Sequence, residues 1–79
     1  MNKIEKLKQI ALDYAKDFQK NDNIILEFEE NLNNAEWYIV LRLSQIYYNV
    51  LEKIISKEEA KQQQIDTFSY VKNNIELFS

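Results

Sequence analysis

The sequence predicts an all-α fold, a small bundle of three main helices, and three observations lead to this. First, the chain has 79 residues, which suits one domain over residues 1–79. Second, it contains no Gly and no Pro. Tight hairpins and rigid corners depend on those residues, so long helices are favoured over a many-stranded sheet. Third, apolar residues recur at three- and four-residue spacing in the segments described next.

The first helix is predicted over residues 3–20. Its apolar positions share one face of a helix: Ile4, Leu7, Ala11, Tyr14 and Phe18, with Ile10 and Ala15 beside them. The opposite face carries charged and amide side chains. Asp13 and Asp17, one turn apart there, are interpreted as part of a solvated face rather than as a carboxylate pair.

The segment near 24–31 permits two interpretations. Ile24, Leu26 and Phe28 alternate with Ile25, Glu27 and Glu29, as they would in a strand. Ile25, Phe28 and Leu32 equally suit a helix. We expect a short helical or extended segment here. The alternative is an α+β fold in which residues 24–30 form a hairpin with residues 36–43, across the Asn-rich stretch between them.

A second helix is predicted over residues 34–55. Asn33 followed by Glu36 resembles a capping box. The apolar set then continues at helical spacing, and the polar residues converge on one stripe that comprises Arg42, Gln45, Asn49, Glu52 and Lys53. The remaining surface is apolar or aromatic and too wide for one neighbour to cover, so this helix is expected to be central, with partners on both sides.

The third helix is predicted over residues 57–77, with Ser56 as N-cap and Glu59 completing a capping box. Its inward face is expected to carry the apolar residues of the second half, namely Ile65, Phe68, Val71, Ile75 and Phe78. Tyr70 and Leu77 then lie on the opposite face. Because Asn tolerates positive φ better than most residues, Asn clusters at 21–23, 31–34 and 73–74 are expected to mark the turns.

Composition argues against several classes of function. The chain has no Cys, His or Gly, so it cannot contain the common zinc, di-iron, nucleophile–histidine and phosphate-loop motifs. We therefore expect no enzyme activity, no metal and no cofactor. Net charge is −3 and nine of the ten basic residues are Lys, which disfavours direct nucleic-acid binding. A charged N-terminus and short apolar runs predict a soluble, cytoplasmic protein without membrane contact.

Two surfaces are candidates for binding a protein partner. The first is acidic and comprises Glu27, Glu29, Glu30 and Glu36, which suits a basic surface on a partner such as a nucleic-acid-binding host protein.

The second candidate surface combines aromatic and cationic side chains. Trp37, Tyr47 and Tyr48 project onto the apolar arc of the second helix, where packing in the core is expected. Tyr38 projects into the polar stripe near Arg42. We therefore predict that Tyr38, Arg42 and Tyr70 form an exposed contact, since Tyr and Arg are favoured at protein interfaces.

Residues 41–48, LRLSQIYY, and residues 55–61, ISKEEAK, carry a resemblance that extends over residues 35–66. This segment is similar to small helical proteins encoded in prophages and mobile elements of low-GC Gram-positive bacteria, which pair an aromatic helix with a second helix opening on Ile-Ser-Lys-Glu-Glu-Ala. Those proteins commonly have Gly before the Ile-Ser turn, where this chain has Lys53 and Ile54. The resemblance implies a mobile-element origin and hence a regulator or inhibitor.

The sequence therefore predicts a protein–protein interaction module that inhibits a bacterial enzyme or defence complex by occlusion, as an anti-CRISPR protein does. The alternative is a self-associating scaffold or chaperone. In that case the wide apolar arc of the second helix would be completed by a second copy, in a homodimer with Trp37, Tyr48 and Ile55 at its interface.

Overall fold

The computed structural model describes residues 2–20 and 32–79. It contains α1 (Lys3–Lys20), α2 (Asn34–Leu51), α3 (Lys57–Asn73) and a 3₁₀ helix (Ile75–Phe78). Within those two ranges there is no strand, and the predicted all-α bundle is confirmed. The hairpin alternative is wrong for residues 36–43, because they lie inside α2. The segment expected near 24–31 lies outside the described residues.

The starts of α1 and α2 are set by Asn side chains. Asn2 Oδ1 accepts a hydrogen bond from the Glu5 backbone N–H at 2.8 Å. Asn33 Oδ1 accepts from the Glu36 N–H at 2.9 Å, and Glu36 Oε1 accepts from the Asn33 N–H at 3.0 Å. This reciprocal pair is the predicted capping box, and it satisfies backbone donors that the first turn of a helix leaves open.

Helix α2 ends at Leu51, four residues before the predicted end at 55. The Ile54 N–H donates to the Asn49 carbonyl at 2.8 Å and the Lys53 N–H donates to the Val50 carbonyl at 3.0 Å, which is the Schellman pattern of a helix C-terminus. Lys53 takes the left-handed conformation, with φ 59°. Glycine usually fills that position, and the expectation that Asn would supply positive φ is wrong at this turn.

Helix α3 begins as predicted but ends early. The Ser56 hydroxyl accepts from the Glu59 N–H at 3.1 Å, which confirms Ser56 as N-cap. The predicted capping box is wrong here, because the Glu59 side chain does not accept from the Ser56 N–H. At the other end, Asn74 closes the helix, because its backbone N–H donates to the Tyr70 carbonyl at 3.0 Å and its side-chain Nδ2 donates to the same carbonyl at 2.9 Å. The chain then continues as the 3₁₀ helix, so the predicted end at 77 is wrong and the Asn cluster at 73–74 does mark a break.

Helix α2 is central, as predicted, and both α1 and α3 pack against it. Its largest fully buried side chains are Val40, Leu43 and Ile46. On α1, Ala11 and Ala15 are completely buried, and their small side chains let the two backbones approach closely. The predicted inward face of α1 is confirmed at Leu7, Ala11 and Ala15, whereas Ile4 is half exposed.

The predicted inward face of α3 is confirmed at Val71, which is buried, and at Phe68 and Phe78, which pack against the core, but it is wrong at Ile65 and Ile75. Ala60, Thr67 and Val71 are buried, whereas Ile65 and Ile75 are 57% and 55% exposed. The short turn after α2 sets the rotation of α3 about its own axis. As a result, the face of α3 that contains residues 60, 64, 67 and 71 packs towards α2. Polar groups on this line have partners: Thr67 Oγ1 donates to the Gln63 carbonyl at 2.8 Å, and Tyr47 Oη on α2 donates to Gln64 Oε1 at 2.6 Å. Satisfied hydrogen bonds reduce the cost of burying polar groups there.

Candidate functional site

An open cleft of about 290 Å³ lies between α2 and α3 and contains three of the predicted binding residues. Its lining residues come from both helices: Tyr38, Arg42, Gln63, Asp66, Thr67 and Tyr70. Tyr38 and Arg42 are four residues apart, so they lie one above the other on α2. The structure therefore brings Tyr38, Arg42 and Tyr70 together, as predicted; their role in binding stays a prediction.

At one end of the cleft, Tyr38 and Tyr70 form a cluster of three aromatic rings with Phe78. The Tyr38 ring centroid lies 5.5 Å from that of Tyr70 and 5.1 Å from that of Phe78, and the Tyr70 and Phe78 centroids lie 6.4 Å apart. These are favourable tilted and edge-on arrangements. Tyr70 is 44% exposed, whereas Tyr38 is half-buried, so the expectation that Tyr38 lies open in the polar stripe is wrong. Tyr70 of α3 and Phe78 of the 3₁₀ helix pack against Tyr38 and cover part of its ring.

Charged and polar groups line the lower part of the cleft. Arg42 is exposed, and its Nη1 donates to Gln45 Oε1 at 2.9 Å, which holds the side chain along α2. Asp66, on the α3 side, accepts from Gln62 Nε2 at 2.9 Å. The cleft thus offers ring faces, a guanidinium with further donors, and a carboxylate acceptor. This set can hold a polar or cationic side chain of a partner.

Glu36 lies apart from this cleft. Besides its capping bond, its Oε2 lies 3.1 Å from Lys3 Nζ on α1. The hydrogen bond from the Asn33 backbone, and then Lys3, hold the pKa of the Glu36 carboxyl below its usual value of 4.5. This side chain therefore ties the start of α2 to α1. The other predicted acidic residues, Glu27, Glu29 and Glu30, lie outside the described residues.

Sequence reasoning missed Phe78 and Asp66 at this site. Phe78 was expected on the inward face of the third helix, and it does pack against the core; after the break at Asn74 its ring also lies 5.1 Å from that of Tyr38, which was not foreseen. The Asn pair at 73–74 was the available signal for this change of direction. Asp66 lies one turn before Tyr70 on α3, so the spacing of the two residues could have placed it beside the predicted contact.

In residues 2–20 and 32–79, no group of three or more His, Cys, Asp or Glu residues is arranged to hold a metal ion. Of the helices in the described part of the chain, none is sufficiently long and apolar to span a membrane. Comparison with protein-family models, curated proteins and solved structures found no significant match to this chain.

Proposed function

We propose that this chain is a non-enzymatic protein–protein interaction module that binds its partner through the cleft between α2 and α3. The observation that carries the proposal is the exposed Tyr70 ring, which lies in a tilted contact with Tyr38 and lines the same cleft as Arg42. Tyr and Arg dominate binding energy at protein interfaces, particularly when neighbouring side chains fix their positions. Here the rings of Tyr38 and Phe78 pack against Tyr70, and the hydrogen bond to Gln45 positions the Arg42 guanidinium.

The shape of the cleft favours a protein over a small molecule as its ligand. Small-molecule sites are usually enclosed, mostly apolar cavities of about 300–1,000 Å³. This cleft has a volume of about 290 Å³, is open to solvent, and has a polar side chain at four of its six lining positions besides the two Tyr rings. Such a cleft accommodates an anchoring side chain of a partner, while the surrounding surface of α2 and α3 supplies the remaining contact area.

As for the biological role, we infer an inhibitor from a phage or mobile element that blocks a bacterial enzyme or defence complex, in the manner of an anti-CRISPR protein. The resemblance of residues 35–66 supports the mobile-element origin. Inhibition would be steric, since a domain with a Cα radius of gyration of 12.6 Å is large enough to cover a functional surface. The acidic residues Glu27, Glu29 and Glu30 would add attraction to a basic target.

The test is quantitative affinity capture from a bacterial lysate, with mass-spectrometric identification. The double variant Tyr70→Ala/Arg42→Ala alters the cleft. A matched control, Ile65→Ala/Lys72→Ala, alters the other side of α3. We expect one protein to be captured stoichiometrically by the wild type and the control, and to be at least about tenfold depleted with the cleft variant. Equal capture by both variants, with circular dichroism showing both folded, would refute the assignment of this cleft.

Self-association is the second candidate, and the packing of α2 argues against it. Trp37 and Ile55 are half-buried and pack against the core cluster, so much of the apolar arc expected at a dimer interface is covered by α1 and α3. Light scattering tests this: we expect the mass of a monomer. A stable homodimer disrupted by Ile55→Ser would favour the scaffold interpretation instead.

A further inference from the structure

A second groove lies on the other side of α2, where it is exposed between α1 and α3. Both outer helices pack against α2, and towards its C-terminal end the half-buried residues Tyr47, Val50 and Leu51 line a groove between the described helices. The groove there has a volume of about 250 Å³. It continues past Leu12 and Tyr47 into a shallower depression of about 320 Å³ along α1, lined by Glu5, Lys8 and Gln9.

The floor of this groove is apolar. Leu12 of α1, Val50 and Leu51 of α2, and Ala60 of α3 contribute aliphatic groups. The Tyr47 hydroxyl is already engaged, since it donates to Gln64 Oε1 at 2.6 Å, and partial burial raises the pKa of Tyr47 above its usual value of 10.0. Tyr47 therefore presents its ring, and not an unsatisfied hydroxyl, to a molecule in the groove.

The rim of the groove is basic, although the chain as a whole is acidic. Lys8 stands on the α1 side, and Lys57 and Lys61 stand one turn apart on the α3 side. In the part of the chain that the structure describes, none of these three lysines forms an ion pair. Among residues 2–20 and 32–79, Glu5 is the one acidic side chain that lines either part of the groove, so the described rim carries three positive charges against one negative charge.

We propose that this groove binds a short, acidic, amphipathic helix of a protein partner. The residues from Glu5 to Leu12 and from Lys57 to Gln64 each span about 10 Å along their helices, which matches two turns of a docked helix. The groove, with a helix on each side and an apolar floor, is the position that a fourth helix occupies in a four-helix bundle. Apolar residues at i, i+3, i+4 and i+7 of the partner fill the floor, and its Glu or Asp residues pair with the three lysines.

This inference is independent of the proposed function, because the groove and the Tyr38–Arg42–Tyr70 cleft share no lining residue. The two can therefore fail separately. Binding in the groove requires Lys8, Lys57 and Lys61 and does not require Tyr70.

The probe is a synthetic acetylated and amidated peptide of about 14 residues, with Leu at i, i+3, i+4 and i+7, Glu at about four of the other positions and Ala at the rest, a composition that permits a marginal helix at this length. A matched peptide carries Lys in place of every Glu. Titration into ¹⁵N-labelled protein is followed by NMR. We expect the acidic peptide to shift the amide signals of Leu12, Val50, Leu51 and Ala60, and to bind at least about tenfold more tightly than the basic peptide.

Two triple variants of equal net charge distinguish the effect of the rim lysines from the effect of the overall charge of the protein. Lys8→Glu/Lys57→Glu/Lys61→Glu reverses the rim and is expected to weaken acidic-peptide binding at least about tenfold. Lys16→Glu/Lys20→Glu/Lys72→Glu reverses three exposed lysines elsewhere and should change it less than about twofold. Tyr70→Ala is expected to leave it unchanged. Equal weakening in both triple variants, no preference between the peptides, or shifts centred on Tyr38 and Tyr70 would each overturn the proposal.

Discussion

Leu43 allows the packing of the bundle to be tested with a matched control on the same helix. Its side chain is completely buried on α2, whereas Leu41, two residues earlier, is 42% exposed. Replacing either by Ala removes the same three carbon atoms and changes helix propensity equally. The difference between Leu43→Ala and Leu41→Ala therefore measures burial alone.

The expected magnitude follows from the burial. Three buried carbon atoms contribute about 2.4 kcal/mol at about 0.8 kcal/mol each, and the cavity left behind adds about 1 kcal/mol. Leu43→Ala should thus lower the free energy of unfolding by about 3.5 kcal/mol. For a chain of this size the total is about 4–12 kcal/mol. Leu41→Ala exposes less new apolar surface and opens no closed cavity, so its cost is about 1 kcal/mol.

Urea unfolding, followed by circular dichroism and by the fluorescence of Trp37, checks the prediction. With a slope of about 1 kcal/mol/M, the unfolding midpoint should fall by about 3.5 M for Leu43→Ala and by about 1 M for Leu41→Ala. Equal shifts of the two midpoints would show that Leu43 is not in the core, and would refute the packing of α2 described above.

Three further predictions concern the helix ends. Ser56→Ala should lower the free energy of unfolding by about 1 kcal/mol because α3 loses its N-cap, whereas Ser69→Ala on the same helix should cost under about 0.5 kcal/mol. Glu36→Gln should cost about 0.5 kcal/mol at pH 7, the size of a solvent-screened ion pair. Lys53→Gly should raise stability by about 0.5–1 kcal/mol because glycine adopts positive φ freely, whereas Lys72→Gly inside α3 should lower it by about 1 kcal/mol. Thermal and urea unfolding measure all of these.

The Glu36 prediction has a defined pH dependence. Its pKa in the folded protein is lower than in the unfolded chain, so its contribution to stability is fully present well above pH 4.5 and is lost as the pH falls through the folded-state pKa. The difference between wild type and Glu36→Gln should therefore shrink on acidification. A difference that stays constant from pH 7 to about pH 2 would contradict the capping and ion-pair arrangement.

For Ser56→Ala and for Lys53→Gly, the comparison with the matched control variant is decisive. Equal effects of the two Ser→Ala changes would mean that Ser56 does not cap α3. A loss of stability in Lys53→Gly would mean that Lys53 does not hold the left-handed position at the end of α2.

Local signals in the sequence predicted the helix starts well, because there a side chain caps the backbone N–H groups of its own helix. Asn33 with Glu36 marked the start of α2, and Ser56 marked the start of α3. The end of α2 was missed because a left-handed residue was expected to be Asn, whereas the Schellman hydrogen bonds impose that conformation on Lys53. Nothing local to Lys53 distinguishes it from any other lysine.

The candidate site was predicted in part. Helical projection correctly placed Arg42 and Tyr70 on exposed sides of α2 and α3. It did not show that Tyr38 is half-buried against the end of α3, because that packing depends on how the turn after α2 orients α3. The aromatic cluster with Phe78 follows from this long-range packing and from the break at Asn74.

The central claim, that the protein acts by binding a partner through the Tyr38–Arg42–Tyr70 cleft, is tested most directly by site-specific photo-crosslinking. A photoreactive phenylalanine analogue replaces Tyr70 in one variant and the exposed Ile65, on the other side of α3, in a second. After irradiation in a bacterial lysate, we predict a one-to-one adduct with a single protein from position 70 and none from position 65. No adduct from position 70, or the same adducts from both positions, would contradict the claim.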